Sequence, residues 1–130
     1  MVIAMHRRLG PGFTLIEMLI VMAIVALLLT IALPGYFGSL DKSKDVALQE
    51  NLRVLRISID RFHADKGRLP ETLVELAEQK YLRAVPVDPV TESANTWVLV
   101  PSREVDGKGV ADVKSGAAGS SRDGRAYASF

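Results

Sequence analysis

A single carboxylate, Glu17, stands near the head of an otherwise apolar run, GFTLIEMLIV at residues 12–21. An acidic side chain at the centre of a membrane-inserted helix costs roughly 2.5–3.5 kcal/mol on insertion scales. Such a charge is tolerated where something pairs with it. The other acids that invite a chemical reading lie far along the chain, at Asp106, Asp112 and Asp123. DGK and DGR are turn sequences, so these residues read first as turn formers. The same acids are candidate ligands for calcium, a hard cation held by about 6–8 oxygens from carboxylates, hydroxyls and carbonyls. No nucleophile is spaced with a base, no glycine-rich loop suits a phosphate, and no zinc-ligand spacing occurs, so the chain does not read as an enzyme. His6 and His63 are isolated, and His63 is expected on a solvent-facing side of a helix.

The elements that must carry Glu17 follow from the residues around it. Between Met18 and Leu33 only Thr30 is polar. The 21 residues from Phe13 to Leu33, wound as a helix, span ~31 Å at ~1.5 Å per residue, enough to cross a hydrocarbon core. Ahead of them, Arg7 and Arg8 stand in an arm without acids. Positive charge before an apolar span holds that arm in the cytoplasm and sends the following domain across. The formal net charge of +1 is owed to this arm. The rest is near neutral and carries no basic, aromatic-rich face of the kind nucleic acids require. With no cysteine, stability has to come from a long helix, from oligomerisation or from a bound metal.

Past Leu33 the pattern changes. Pro34-Gly35 predicts a kink or local loosening, because proline removes the bond to the Thr30 carbonyl. Leu48, Leu52, Leu55, Ile59 and Phe62 then recur at helical spacing, which predicts one core-facing stripe. Charged residues, Asp45 among them, are assigned to the other faces. Gly67 after Lys66 reads as the helix stop. Residues 67–95 are a proline-punctuated connector with a short helix within PETLVELAEQKYL, residues 70–82, presenting Leu73, Leu76 and Ala77 on one face. TWVLVP, GVADVK and RAYASF, separated by glycine-rich loops, predict two or three antiparallel strands. The fold class is therefore α+β: a long N-terminal helix, half apolar and half amphipathic, packed against a short helix and a small antiparallel sheet.

The stretch G-FTLIE-MLIV resembles the class III signal of type IV pilins and of type II secretion pseudopilins. YLRAVPVDP further resembles the YI–LP–DPWG stretch of major pseudopilins, with Val90-Thr91 in place of Trp-Gly. GVADVKSGAAGSSRDG resembles their C-terminal loop. The resemblance implies a type IV pilin-like fold, with a leader over residues 1–12, a transmembrane or filament-core half of the helix over 13–39, and a periplasmic head over 40–130. It implies that a prepilin peptidase cleaves between Gly12 and Phe13 and N-methylates Phe13, making Glu17 the fifth mature residue and Pro34 the twenty-second. The new Phe13 amine then lies four residues from Glu17 on one helix face. Amine and carboxylate pair within a monomer or between adjacent subunits. The resemblance also implies calcium in the C-terminal loop, with Ser115 and Asp123 as ligands. Here Arg122 and Gly124 flank Asp123, where the family carries a second acid. The absence of cysteines sets the chain apart from type IVa pilins that close this loop with a disulfide.

The function so implied is a structural subunit of a type II secretion pseudopilus, a helical homo-polymer built through the apolar helix with Glu17 as an assembly residue. Its partners are further copies of itself, prepilin peptidase, minor pseudopilins and an inner-membrane assembly platform, but no nucleic acid. Its place is a single pass of the bacterial inner membrane with the head in the periplasm. Two alternatives stand beside this: a pilin or minor pilin of a surface or DNA-uptake pilus, and a membrane-anchored periplasmic binding module whose helix is only an anchor.

Overall fold

The computed structural model describes Gly10, residues 12–104 and residues 107–130. His6, Arg7 and Arg8 of the leader and the candidate acid Asp106 lie outside the described residues. Helix α1 covers Leu15–Lys66, with Pro34 inside it. It stops where the sequence places a glycine: Gly67 takes φ +70°, and its N–H donates to the His63 carbonyl at 2.9 Å. That left-handed conformation costs glycine nothing, whereas a Cβ would oppose it. The chain divides into two compact units, Met1–Phe37 and Gly38–Phe130.

The described part of the first unit consists of the apolar start of α1. Its large side chains are exposed, from Phe13 at 79% and Leu15 at 82% to Ile31 at 71%. Thr30, the lone polar residue of the run, satisfies itself by donating its hydroxyl to the Ala26 carbonyl one turn back at 2.8 Å. The segment is long and apolar enough to cross a membrane.

In the second unit the remainder of α1 packs with helix α2 (Leu73–Glu78), strands β1 (Val98–Pro101) and β2 (Val110–Lys114), and a 3-10 turn, Tyr127–Ser129. The strands pair antiparallel, Val98 opposite Lys114 and Leu99 opposite Val113, with an irregularity between Val100 and Pro101. Proline at the end of β1 brings no donor to the ladder, so it fits a strand end. The expected stripe is the core. Leu48, Leu52, Leu55, Ile59 and Phe62 are at most 1% exposed, and Leu73, Leu76, Trp97, Val110 and Val113 close over them.

Two elements are shorter than their sequences suggest. The helix expected within 70–82 forms only at Leu73–Glu78. Thr72 caps its start by accepting the Glu75 N–H at 3.2 Å. Its end is fixed by Lys80 at φ 65°, after which Tyr81 and Leu82 turn their N–H groups back to the Leu76 carbonyl. RAYASF does not join the sheet. Ala126 makes one isolated bridge with Ser120, and the backbone then coils, Ser129 N–H to Ala126 and Phe130 N–H to Tyr127. The Tyr127 hydroxyl goes to Asp45 on α1, as described below.

The core assignment predicts a sharp contrast on one helix. Leu55→Ala is expected to lower the unfolding free energy by about 2–5 kcal/mol. Val46→Ala, at a site 57% exposed, is expected to change it by less than about 0.5 kcal/mol. Denaturant unfolding of the detergent-solubilised chain, followed by the emission of its single tryptophan, Trp97, measures both.

Candidate functional site

Glu17 and the Gly12–Phe13 junction sit at the start of α1. Residues 12–14 have no regular structure, and the helix begins at Leu15. Thr14 and Glu17 hold that start between them. The Glu17 N–H donates to Thr14 Oγ1 at 3.2 Å, and the Thr14 N–H donates to Glu17 Oε2 at 3.4 Å. The first helical bond, Met18 N–H to the Thr14 carbonyl, is 3.2 Å. This is the reciprocal T-x-x-E arrangement that satisfies two otherwise orphaned donors of a helix N-terminus. The negative charge also faces the positive end of the helix dipole. Phe13 projects into open space at 79% exposure, and a Cβ added at Gly12 would meet nothing within 4 Å. The junction is thus accessible, and its glycine is not demanded by packing within the described chain.

The second cluster lies in the head. Asp88 is fully buried, and its carboxylate is wrapped by donors. Val90 N–H reaches Oδ1 at 2.8 Å and Thr91 N–H at 3.3 Å, while the Ser115 hydroxyl reaches Oδ2 at 2.5 Å. Ser115 in turn accepts the Ala117 N–H at 3.1 Å. One carboxylate thereby ties the loop after α2 to the loop after β2. Trp97 seals the same region by donating Nε1–H to the Pro86 carbonyl at 2.8 Å.

Asp45, on α1, is a second buried acid, 9% exposed. The sequence reading placed it off the core stripe. The structure places it at the stripe's near end, because it accepts the Arg122 N–H at 3.0 Å and the Tyr127 hydroxyl at 2.8 Å. Burial first, and then the bond to Asp45, push the Tyr127 phenol up to about 12. Farther along α1, Arg56 donates to Asp112 Oδ1 at 2.8 Å, to the Val113 carbonyl at 3.1 Å and to the Phe130 carbonyl at 2.8 Å. The C-terminal segment is therefore fastened to α1 at Asp45 and again at Arg56.

The two residues implied as calcium ligands have other partners. Ser115 is buried and committed to Asp88 and Ala117. Asp123 is exposed, and its carboxyl is held below its ordinary value by a hydrogen bond from Ser121 and then by Arg125. Among the described residues, no group of three or more His, Cys, Asp or Glu side chains is placed to hold a metal ion. As placed, Ser115 and Asp123 do not fit a cage for a hard cation. Neither the Thr14–Glu17 pairing nor the Asp88 and Asp45 hubs were anticipated. The first has a sequence signature, T-x-x-E ahead of an apolar run. The hubs depend on distant partners as well as local ones: Ser115 is 27 positions from Asp88, and Tyr127 is 82 from Asp45.

The family signature described as the prokaryotic N-terminal methylation motif matches residues 11–33. The chain is 32% identical to a competence protein, ComGC, of Halalkalibacterium halodurans, covering 55% of this chain and 70% of that one. It is 26% identical to type II secretion system core protein G of Pseudomonas aeruginosa, covering 65% of this chain and 71% of that one. It is 29% identical to the protein of the same name from Klebsiella michiganensis, covering 52% of this chain and 48% of that one. No solved structure matches the chain.

The Tyr127–Asp45 bond gives the head a predictable alkaline limb. A phenol raised from 10.0 to about 12 contributes stability that is fully present below pH 10 and is lost as pH rises through 12. Wild type is expected to lose about 2 kcal/mol more than Tyr127→Phe between about pH 9 and about pH 12. Urea midpoints at the two pH values measure this, and equal losses would mean that the Tyr127 hydroxyl is not engaged.

Proposed function

Because the chain belongs to the type IV pilin-like family of prepilin-signal proteins, we propose that it is a structural filament subunit of the pseudopilin kind, serving type II secretion. The observation that carries this reading is a run of apolar helix with one acid in it and no cover of its own: Leu15, Ile16 and Leu19 are 82%, 66% and 62% exposed. Such a segment resides in lipid as a monomer, or among its own copies in a polymer. Relatives named as secretion core proteins support the secretion assignment. The similarity to a competence protein supports a second reading, a pilus of the DNA-uptake kind. A deletion strain separates the two: loss of exported proteins favours the first, and loss of transformation favours the second.

In this reading the immature chain crosses the inner membrane once, with its head in the periplasm. Prepilin peptidase hydrolyses the Gly12–Phe13 bond, and the freed Phe13 amine takes one methyl group. That amine stands four residues ahead of Glu17, just outside the helix that begins at Leu15, so the chain acquires a partner for its one intramembrane charge at maturation. Subunits then trade lipid contacts for contacts with one another, and the amine of one meets the carboxylate of the next. Minor pseudopilins and an inner-membrane assembly platform are the further partners. The work of the protein is assembly, and no residue is assigned a catalytic role.

Two substitutions test this. Gly12→Val is expected to leave the chain unprocessed, read as the intact mass of the membrane-extracted protein. A Cβ at Gly12 meets nothing among the described residues, so a block reports on the peptidase site and not on misfolding. Glu17→Leu is expected to keep its membrane level and its cleavage but to lose sheared filaments. The Phe13 amine is then left unpaired in an apolar core, at a cost on the order of 3–5 kcal/mol. Normal filament yield from Glu17→Leu would remove the charge from assembly, and absence of filaments from wild type as well would favour a simple anchored module.

A further inference from the structure

The sequence from Pro34 to Ser39, PGYFGS, is the poorest helix former in α1. Proline removes a backbone donor and crowds the preceding turn, and each glycine costs roughly 1 kcal/mol against alanine. All of these residues except Gly38 are exposed, so packing does not compensate. Helix should therefore fray from this point into the head, yet the head's part of α1 is helical from Gly38 onward.

One side chain meets the problem at its boundary. The Arg122 guanidinium donates through Nη1 to the Gly38 carbonyl at 2.6 Å. The Arg122 backbone N–H holds Asp45 two turns farther along the same helix. A single residue of the C-terminal loop thus spans the first turns of the head helix, from a carbonyl at Gly38 to a carboxylate at Asp45. The loop is itself braced. Ser121 N–H bonds the Arg125 carbonyl at 2.8 Å and Gly124 N–H bonds the Ser121 carbonyl at 3.0 Å, while Ser120 bridges Ala126. The close approach also accounts for the residue at 38. A Cβ there would stand 3.0 Å from Arg122 Nη1 and 3.4 Å from its guanidinium carbon.

We propose that Arg122 is a clamp that fixes where the rigid part of α1 begins, holding residues 38–45 helical whatever the state of Pro34–Phe37. The clamp needs no metal, and it does not depend on the filament reading. It assigns a function to the residue that stands beside Asp123 where the resembled family carries an acid.

The test is amide hydrogen exchange by mass spectrometry on the full chain in detergent, comparing wild type with Arg122→Ala and Arg122→Gln. Both variants keep the backbone N–H that bonds Asp45 and lose the guanidinium. Exchange at residues 39–45 is expected to rise by roughly ten-fold or more, the loss of about one charge-assisted hydrogen bond, while exchange at residues 52–62 stays unchanged. Unchanged exchange at 39–45 in both variants overturns the proposal. So does an equal acceleration at 52–62, because the loop would then be one more part of a single cooperative core. If Arg122→Ala does not fold, Arg122→Gln, which keeps most of the side-chain volume, is read by the same criteria.

Discussion

Water is a poor solvent for the first half of α1. Side chains from Leu15 to Leu33 are apolar on every face of the helix, apart from Glu17 and the self-satisfied Thr30, so no rotation of the helix can hide them from solvent. A stripe can be buried against a small domain, but a helix apolar all round needs a surrounding medium, either lipid or more helices of the same kind. This constraint separates the chain into an anchor with no interior and a head that must be stable by itself. It also makes the one acid in the segment conspicuous, since in that medium its charge has to be matched.

The head solves a different problem, which is how to hold long polar loops without disulfides. Its hydrophobic core is modest: one stripe of α1, two leucines of α2, Trp97 and two valines of β2. The loops are secured by acids taken inside and saturated with donors. Asp88 gathers two backbone N–H groups and a serine hydroxyl, and Asp45 gathers an N–H and a phenol. Hydrogen bonds to a charged group are worth more than neutral ones, about 1.5–3 kcal/mol each, and a buried carboxylate left without donors is heavily penalised. Each hub therefore defines one loop conformation strongly and gives little to alternatives. Arg56 works in the opposite sense, one cation gathering a carboxylate and two carbonyls.

What could be read from the sequence is what depends on period and on near neighbours. Leu48 to Phe62 repeat at helical spacing, and their burial follows from that alone. Gly67 is legible as a stop because helix termini have local chemistry. Asp45 stands three positions before Leu48, so its place on the same face was present in the spacing, and its charge pointed the other way. RAYASF has partial alternation, but alternation does not supply a strand to pair with, and the hydroxyl of Tyr127 is drawn to Asp45. The pairing of Asp88 with Ser115 gave no signal, because a hydroxyl and a carboxylate 27 residues apart carry no mutual pattern until the chain has folded. The loop resemblance assigns Ser115 and Asp123 to a cation, and in the fold both accept hydrogen bonds from within the head.

The Thr14–Glu17 pairing decides where a protease can bite. A peptide bond inside a helix has its carbonyl engaged and its backbone curled, and a protease must unwind it into an extended strand before cutting. Here the helix is started by residues that lie downstream of the junction, so residues 12–14 stay outside it. The Gly12–Phe13 bond, where the proposed cut falls, thus lies ahead of the helix, among residues without regular structure. Both capping bonds of the helix start run between Thr14 and Glu17, so neither uses Gly12 or Phe13. A cut between Gly12 and Phe13 would leave those two bonds standing, and with them the register at which the helix begins.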